Sequence, residues 1–480
     1  MGKLIKNYIY NVLYQMLVFI APLVTAPYLT RVLGAERLGI SNYVLTVATV
    51  FGTIGLLGIQ NYSIREIAYV KDSPEKLERT FYELLTLRLV LGCLTLLVYA
   101  FYVNLAAYPY LMVIMTLFVA AWFIDPCWFF IGMEDMGKAV ARNFFAKTAN
   151  IIGIFVFVKC QEDYVNYIWL LSSMSFLASV LAIPQLWKYF HIHFVKVSLT
   201  RLIYHTKGSL GLFWPQVAVL VYLSADKILL EHLISPASVA YYDQAEKLIK
   251  IPLSFITVIS TVMMPRLANQ FAGNDIISMK NYLVKTIRFS SFLAIPMMFG
   301  IIGIASTLVP WFLGNEFIPV IPVIWTLSPL ILLASMVGIS GDQYLVATGQ
   351  TAVMTLSYMA AAVVNVAMNI LLIPSYAAVG SAIATIFAYG VILLIQYKVL
   401  LKKIPLQETI LHSFSYVWKS IPMFLLVLSL GYILPHKFVT TLMQILTGCL
   451  VYGFVLLITK DKMFFFLKEF IFKIMKKVKE

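Results

Sequence analysis

Charge is scarce in this chain of 480 residues: Asp, Glu, Lys and Arg together make up 12%. Hydrophobic residues make up 61% and mean hydropathy is +0.88, more apolar surface than a soluble domain of this length keeps out of water. The sequence therefore reads as an integral membrane protein. The only cysteines, Cys93, Cys127, Cys160 and Cys449, show no CxxC or paired spacing, so they support neither a disulfide framework nor a zinc site and are read as packing residues. HExxH, GxSxG, a Walker loop and a GxGxxG before a helix are all missing. The six histidines, His191, His193, His205, His232, His412 and His436, fall in loops or at span ends, which disfavours an intramembrane acyltransferase. What remains is a transporter or channel.

A bilayer core of roughly 30 Å takes about 20 helical residues to cross. Apolar stretches bounded by charge, Gly or Pro predict fourteen helices: 9–32, 39–60, 83–103, 109–131, 144–158, 165–187, 209–230, 237–264, 287–309, 318–337, 352–373, 377–397, 420–434 and 438–459. Pro22 and Pro27 inside the first, and its direct run into the second, argue against a signal peptide. With both termini inside, and with Arg31 and Lys147 near the ends of their spans counted with the adjoining connections, 27 of the 36 Lys and Arg fall in inner segments, four in outer segments and five within spans. That asymmetry makes the net charge of +14 a topology signal, and a nucleic-acid partner is not expected. The short outer connections leave no room for a polysaccharide polymerase or ligase site. Residues 463–479 carry an apolar face and several lysines, which suits a helix lying on an anionic leaflet or a solvated basic end.

Ionisable residues at membrane depth are functional candidates because each costs several kcal/mol unless wet or paired. In AYYDQAEKLIKIPLSF, Asp243, Glu246, Lys247 and Lys250 lie near 0°, 300°, 40° and 340° at about 100° per residue, all on one face. Asp243 with Lys247 and Glu246 with Lys250 are also acid-first i,i+4 pairs, so a water-filled cavity beside a partly neutralised stripe is expected. Asp226 and Lys227 close the seventh span, while Arg88 and Arg288 are expected to snorkel to the inner surface. Asp125, in WFIDPCWFF, precedes Pro126, which interrupts the helix, and is either an ion or proton site or a buried structural acid. Arg31 follows Pro27 by one turn at the first outer connection.

RVLGAERLGISNYV and KILLEHLISPASVAYYD share a charged end, a polar elbow and a small or Tyr-rich helix start, as FFIGMEDMGKAVARN loosely matches YLVATGQTAVMTLSY. They support two parallel six-helix repeats. The expected organisation is an N-terminal lobe at 1–190, a basic linker at 191–207, a C-terminal lobe at 208–400, two added helices at 401–459 and a basic tail at 460–480.

The segments PYLTRVLGAERLGISNYVLTVATVFGTIGLLGIQNYSIREIA, WFFIGMEDMGKAVARN, AYYDQAEKLIKIPLSFITVISTVMMPRLA, FLGNEFIPVIPVIW and NILLIPSYAAVGSAIATIFAYG resemble the flippases of undecaprenyl-linked oligosaccharides. That family shares a superfamily with the multidrug and toxin extruders and the lipid II flippase. The resemblance implies an all-α polytopic protein with two six-helix bundles in a V around a central cavity open alternately to each side. It also implies two C-terminal helices that shape a groove for a prenyl tail. The matching cavity cations are Arg31, Arg65, Lys227, Lys247 and Lys250, though Asp226, Asp243 and Glu246 beside them weaken simple charge attraction. The implied cargo is a lipid-linked oligosaccharide for capsule, O-antigen or another surface polysaccharide. The implied setting is a bacterial cytoplasmic membrane, with membrane lipids, glycan polymerase and glycosyltransferases as partners. No cofactor or metal is expected. If a proton or sodium ion drives the cycle, Asp125 is the expected coupling site, with Asp226 as a further candidate. A multidrug exporter of the same architecture is the rival reading, and its cationic drugs would favour a cavity dominated by acids.

Overall fold

The computed structural model describes residues 2–189, 197–272 and 276–465, and their side chains except those of 2–19, 136, 138–141, 257–272 and 276. Helices dominate, and no strand occurs among the described residues. The chain forms two compact units, residues 1–240 and 241–480. The first contains α1 (Gly2–Gly55), α2 (Ile59–Val70), α3 (Pro74–Val103), α4 (Pro109–Ile124), α5 (Cys127–Gly132), α6 (Met136–Phe157), α7 (Tyr164–Ala182) and α8 (Leu199–Leu233). The boundary falls within α9 (Pro236–Ala272), whose residues up to Ala240 belong to the first unit; the second holds the rest of α9 with α10 (Ile276–Phe312), α11 (Val320–Leu327), α12 (Leu330–Gly338), α13 (Thr351–Lys403), α14 (Gln407–Ser413), α15 (Ser415–Ile433) and α16 (Phe438–Ile458).

Ten stretches among the described residues are long and apolar enough to cross a membrane. Two are broken helices: α1 at Gly34 (φ 70°) and α13 at Ala377 (φ 47°), where the left-handed backbone turns the chain. Counting each arm, and adding α6 and α9, accounts for the fourteen helices of the sequence reading. On α3 the pattern is that of a lipid-facing helix. Leu94, Leu97, Val98 and Phe101 are more than half exposed, whereas Glu83 and Arg88 are buried. Such an arrangement suits hydrocarbon outside and polar groups inside.

Several expectations need correction. Leu199–Lys207, placed in the linker, forms the first turns of α8, and residues 190–196 lie outside those described. The fifth helix starts at Met136 rather than 144, and the thirteenth at Ser415 rather than 420. Of the cysteines only Cys127 is buried; Cys93, Cys160 and Cys449 are exposed, so they are not packing residues. Most of the proposed tail helix, from residue 466, lies outside the described residues. Its start is fixed, because Asp461 ion-pairs with Lys419 at 2.5 Å and accepts the Met463 amide at 2.9 Å.

In the first unit, α4 packs on α7, and α1 on α6 and α8. Gly39, after the α1 break, faces the start of α9 so closely that an added Cβ would stand 1.8 Å from the Pro236 carbonyl oxygen. Gly39→Ala is therefore expected to destabilise the protein by roughly 1–3 kcal/mol or more, read as a lower melting temperature in detergent. Gly211→Ala, where a Cβ meets nothing within 4 Å, should leave it near the wild-type value.

Candidate functional site

The clearest charged surface of the second unit is on α9. Its helix begins at Pro236, so the stripe of Asp243, Glu246, Lys247 and Lys250 is helical and not part of a loop. Lys247 Nζ lies 2.6 Å from Asp243 Oδ2, and Lys250 Nζ lies 2.6 Å from Glu246 Oε1. The carboxylates are nearly covered, at 7% and 10% side-chain exposure, while the lysines stand 36% and 54% open. Acids behind and ammonium groups in front give a face that presents positive charge without an uncompensated cation in the protein. Tyr242 donates to or accepts from Thr385 Oγ1 at 2.8 Å, and Tyr241 packs edge-on against Phe317, so both tyrosines anchor the helix.

In α13, Asn369 Nδ2 donates to Asn365 Oδ1 at 3.1 Å and Ser381 Oγ donates to Asn369 Oδ1 at 2.9 Å, joining the two arms across the Ala377 break. Sequence reasoning missed this chain, although the i,i+4 asparagines were its visible signal.

The first unit places the remaining candidates separately. Arg31 is exposed on α1, with Nη1 3.4 Å from the Pro27 carbonyl. Arg65 on α2 lies half exposed beside Glu66 (3.5 Å) and over the Tyr62 ring (5.4 Å). Asp226 is buried and Lys227 half-buried on α8, and both have interacting partners.

Asp125 ends α4 in an extended conformation (φ −64°, ψ 116°), and Pro126 caps the short α5 that follows. Its Oδ1 accepts the Cys127 amide at 3.1 Å and ion-pairs with Arg142 Nη1 at 2.5 Å. The spans read from the sequence, 109–131 and 144–158, leave Arg142 in the inner connection between them; α6 starts early enough to carry it into the unit, and its guanidinium also donates to Asn143 Oδ1. Nearby, Arg88 does not snorkel. It is fully buried, donating to Gln60 Oε1 (2.8 Å) and the Trp122 carbonyl (2.7 Å) and lying over Trp128, because α3 turns this face inward and its leucines outward. Trp128 itself stacks on Phe81 in the core. A cavity of about 440 Å³ opens here, lined by Gln60, Trp122, Asp125, Arg142, Asn143 and Lys147 among others.

His205 also departs from the sequence reading. It is buried in α8 with Nε2 2.9 Å from Glu83 Oε2 and Nδ1 3.0 Å from the Tyr62 hydroxyl, while Arg79 and Arg201 donate to Glu83 Oε1. Because α8 reaches back to Leu199, this histidine sits within a helix and ties α2, α3 and α8 together. Among the described residues, no group of His, Cys, Asp and Glu is arranged to hold a metal.

A polytopic bundle with inward charges, lipid-facing leucines and two long helices broken along their length defines a membrane transporter. Residues 4–271 match the family described as polysaccharide biosynthesis protein, and residues 185–452 match lipid II flippase MurJ. The chain belongs to this family of polysaccharide and lipid-linked oligosaccharide flippases, which are transporters and not enzymes. It is 25% identical over 345 residues to a provisionally named O-antigen transporter of Escherichia coli (strain K12), covering 70% of this chain and 82% of that one. A counterpart in Shigella dysenteriae is 23% identical over 383 residues, covering 79% and 96%. The fold is similar to that of the lipid II flippase MurJ in an inward closed conformation (TM-score 0.72, 16% identity, 95% of this chain and 99% of that chain). It is also similar to an inward-facing multidrug MATE transporter (TM-score 0.62, 14% identity, 80% and 95%).

Proposed function

We propose that this protein flips an undecaprenyl pyrophosphate-linked oligosaccharide across a bacterial cytoplasmic membrane by alternating access, supplying capsule, O-antigen or another surface polysaccharide. A pyrophosphate-linked glycan does not cross hydrocarbon unaided, since a bare anion costs many kcal/mol there and each hydroxyl adds a desolvation penalty. The observation that carries the reading is the α9 stripe, whose lysines are held in line by buried carboxylates and remain open to an anion. Lys247 and Lys250 meet the pyrophosphate, Asp243 and Glu246 set their positions, and Arg31, Arg65 and Lys227 are further substrate-binding residues. A multidrug exporter would be served by a surface led by acids, and on α9 the acids are the covered partners. Both termini are placed in the cytoplasm on the Lys and Arg asymmetry, and glycosyltransferases and a glycan polymerase are the proposed partners on either side of the transport step. A proton or sodium ion is the proposed driving ion, competing for Asp125 or Asp226.

Lys250→Ala and Arg31→Ala are each expected to cut surface glycan export on the order of tenfold, the effect of losing about 1.4 kcal/mol of charge-assisted contact. Folded protein in the membrane should stay at wild-type levels, because neither side chain packs in a core. Normal export in both variants at normal protein levels would remove the anion-binding role of these cations.

A further inference from the structure

The cavity of the first unit holds more donors than its own structure consumes. Asn143, Lys147 and Asn150 follow one another at i, i+4 and i+7 along α6, so one helix face carries all three into the lining. Asp125 and Arg142 neutralise each other across the wall. Lys147 has no hydrogen-bond or ion-pair partner among the described residues, leaving one excess positive charge. Two arginines also fix which way the neighbouring amides face. Arg88 occupies Gln60 Oε1, and Arg142 occupies Asn143 Oδ1, so what these amides have left to offer is their NH2 donors.

We propose that this cavity binds a phosphoryl anion, with Lys147 supplying the charge and Gln60 and Asn143 donating to its oxygens. A carboxylate has two oxygens to share, whereas a phosphoryl group has three or more, matching donors spread over α2 and α6. Lysine suits this role as a point charge that does not require a planar partner. The volume of about 440 Å³ falls in the range of roughly 300–1,000 Å³ that holds small ligands, enough for a phosphate with a sugar or glycerol attached. The site lies inside one unit and goes beyond the transport reading. It stands or falls on binding alone.

The full-length protein in phosphatidylcholine nanodiscs provides the test. Inorganic phosphate, compared with chloride at matched ionic strength, is expected to raise the melting temperature by roughly 2–5 °C. Lys147→Met, which keeps the length of the side chain and loses its charge, should abolish the rise, and Lys147→Arg should keep part of it. A second measurement on the wild-type chain does not depend on any variant folding: phosphate should slow amine acylation of Lys147 several-fold while leaving unchanged that of Lys71, which lies outside the cavity lining and pairs with Glu134 Oε1 at 2.7 Å. Protection in phosphatidylcholine discs only when phosphate is added assigns a soluble phosphoryl compound. Protection in discs containing phosphatidylglycerol without added phosphate assigns a lipid headgroup. No protection from either source, or an equal temperature rise in Lys147→Met, overturns the proposal.

Discussion

Glu83→Ala is expected to lower the stability of the protein by roughly 3–5 kcal/mol, the range found when one partner of a buried charge network is removed. Its carboxylate is 3% exposed and accepts from Arg79 and Arg201 on one oxygen and faces His205 on the other. Alanine would leave His205 buried with only Tyr62 as a partner and would cut the link from α3 to α8. The melting temperature in detergent should fall by at least roughly 5 °C. Arg79→Ala gives the contrast: Arg79 is largely exposed, and pairs of that kind contribute about 0–1 kcal/mol. A Glu83→Ala protein that melts with the wild type would reduce the network to a set of surface-like contacts.

Asp125→Asn is expected to slow export on the order of tenfold, equivalent to about 1.4 kcal/mol, and to flatten its dependence on external pH or sodium. Asparagine keeps the acceptor for the Cys127 amide, so the helix break survives. The lost item is the charge that holds Arg142, whose side chain is only 7% exposed. An ion arriving at Asp125 must compete with that guanidinium, and the chain break at Pro126 provides a point where the two can separate. Arg142→Met separates structure from coupling, because it frees the carboxylate without neutralising it and should shift the ion dependence instead of removing it. If Asp125→Asn melts lower yet exports with unchanged ion dependence, Asp125 is a structural acid and the coupling role passes to Asp226.

What the sequence determined by itself was governed by local rules. Membrane insertion, the number of helices and the α9 ion pairs follow from composition, span length and the 100° step of a helix, none of which needs a neighbour. The break at Gly34 was legible as a connection between two spans for the same reason. Tertiary structure decided which face of each helix turns inward. That is why Arg88, read as a snorkelling residue, lies buried against Gln60 and Trp122, and why Arg142 and Lys147, counted with a loop, line a cavity. His205 meets Glu83 across 122 positions of sequence, and Asp125 meets Arg142 across a helix break. A single helix with apolar residues all round carries little periodicity to mark its buried side. In a bilayer both sides are apolar, so only the packing of one helix on another distinguishes lipid from interior.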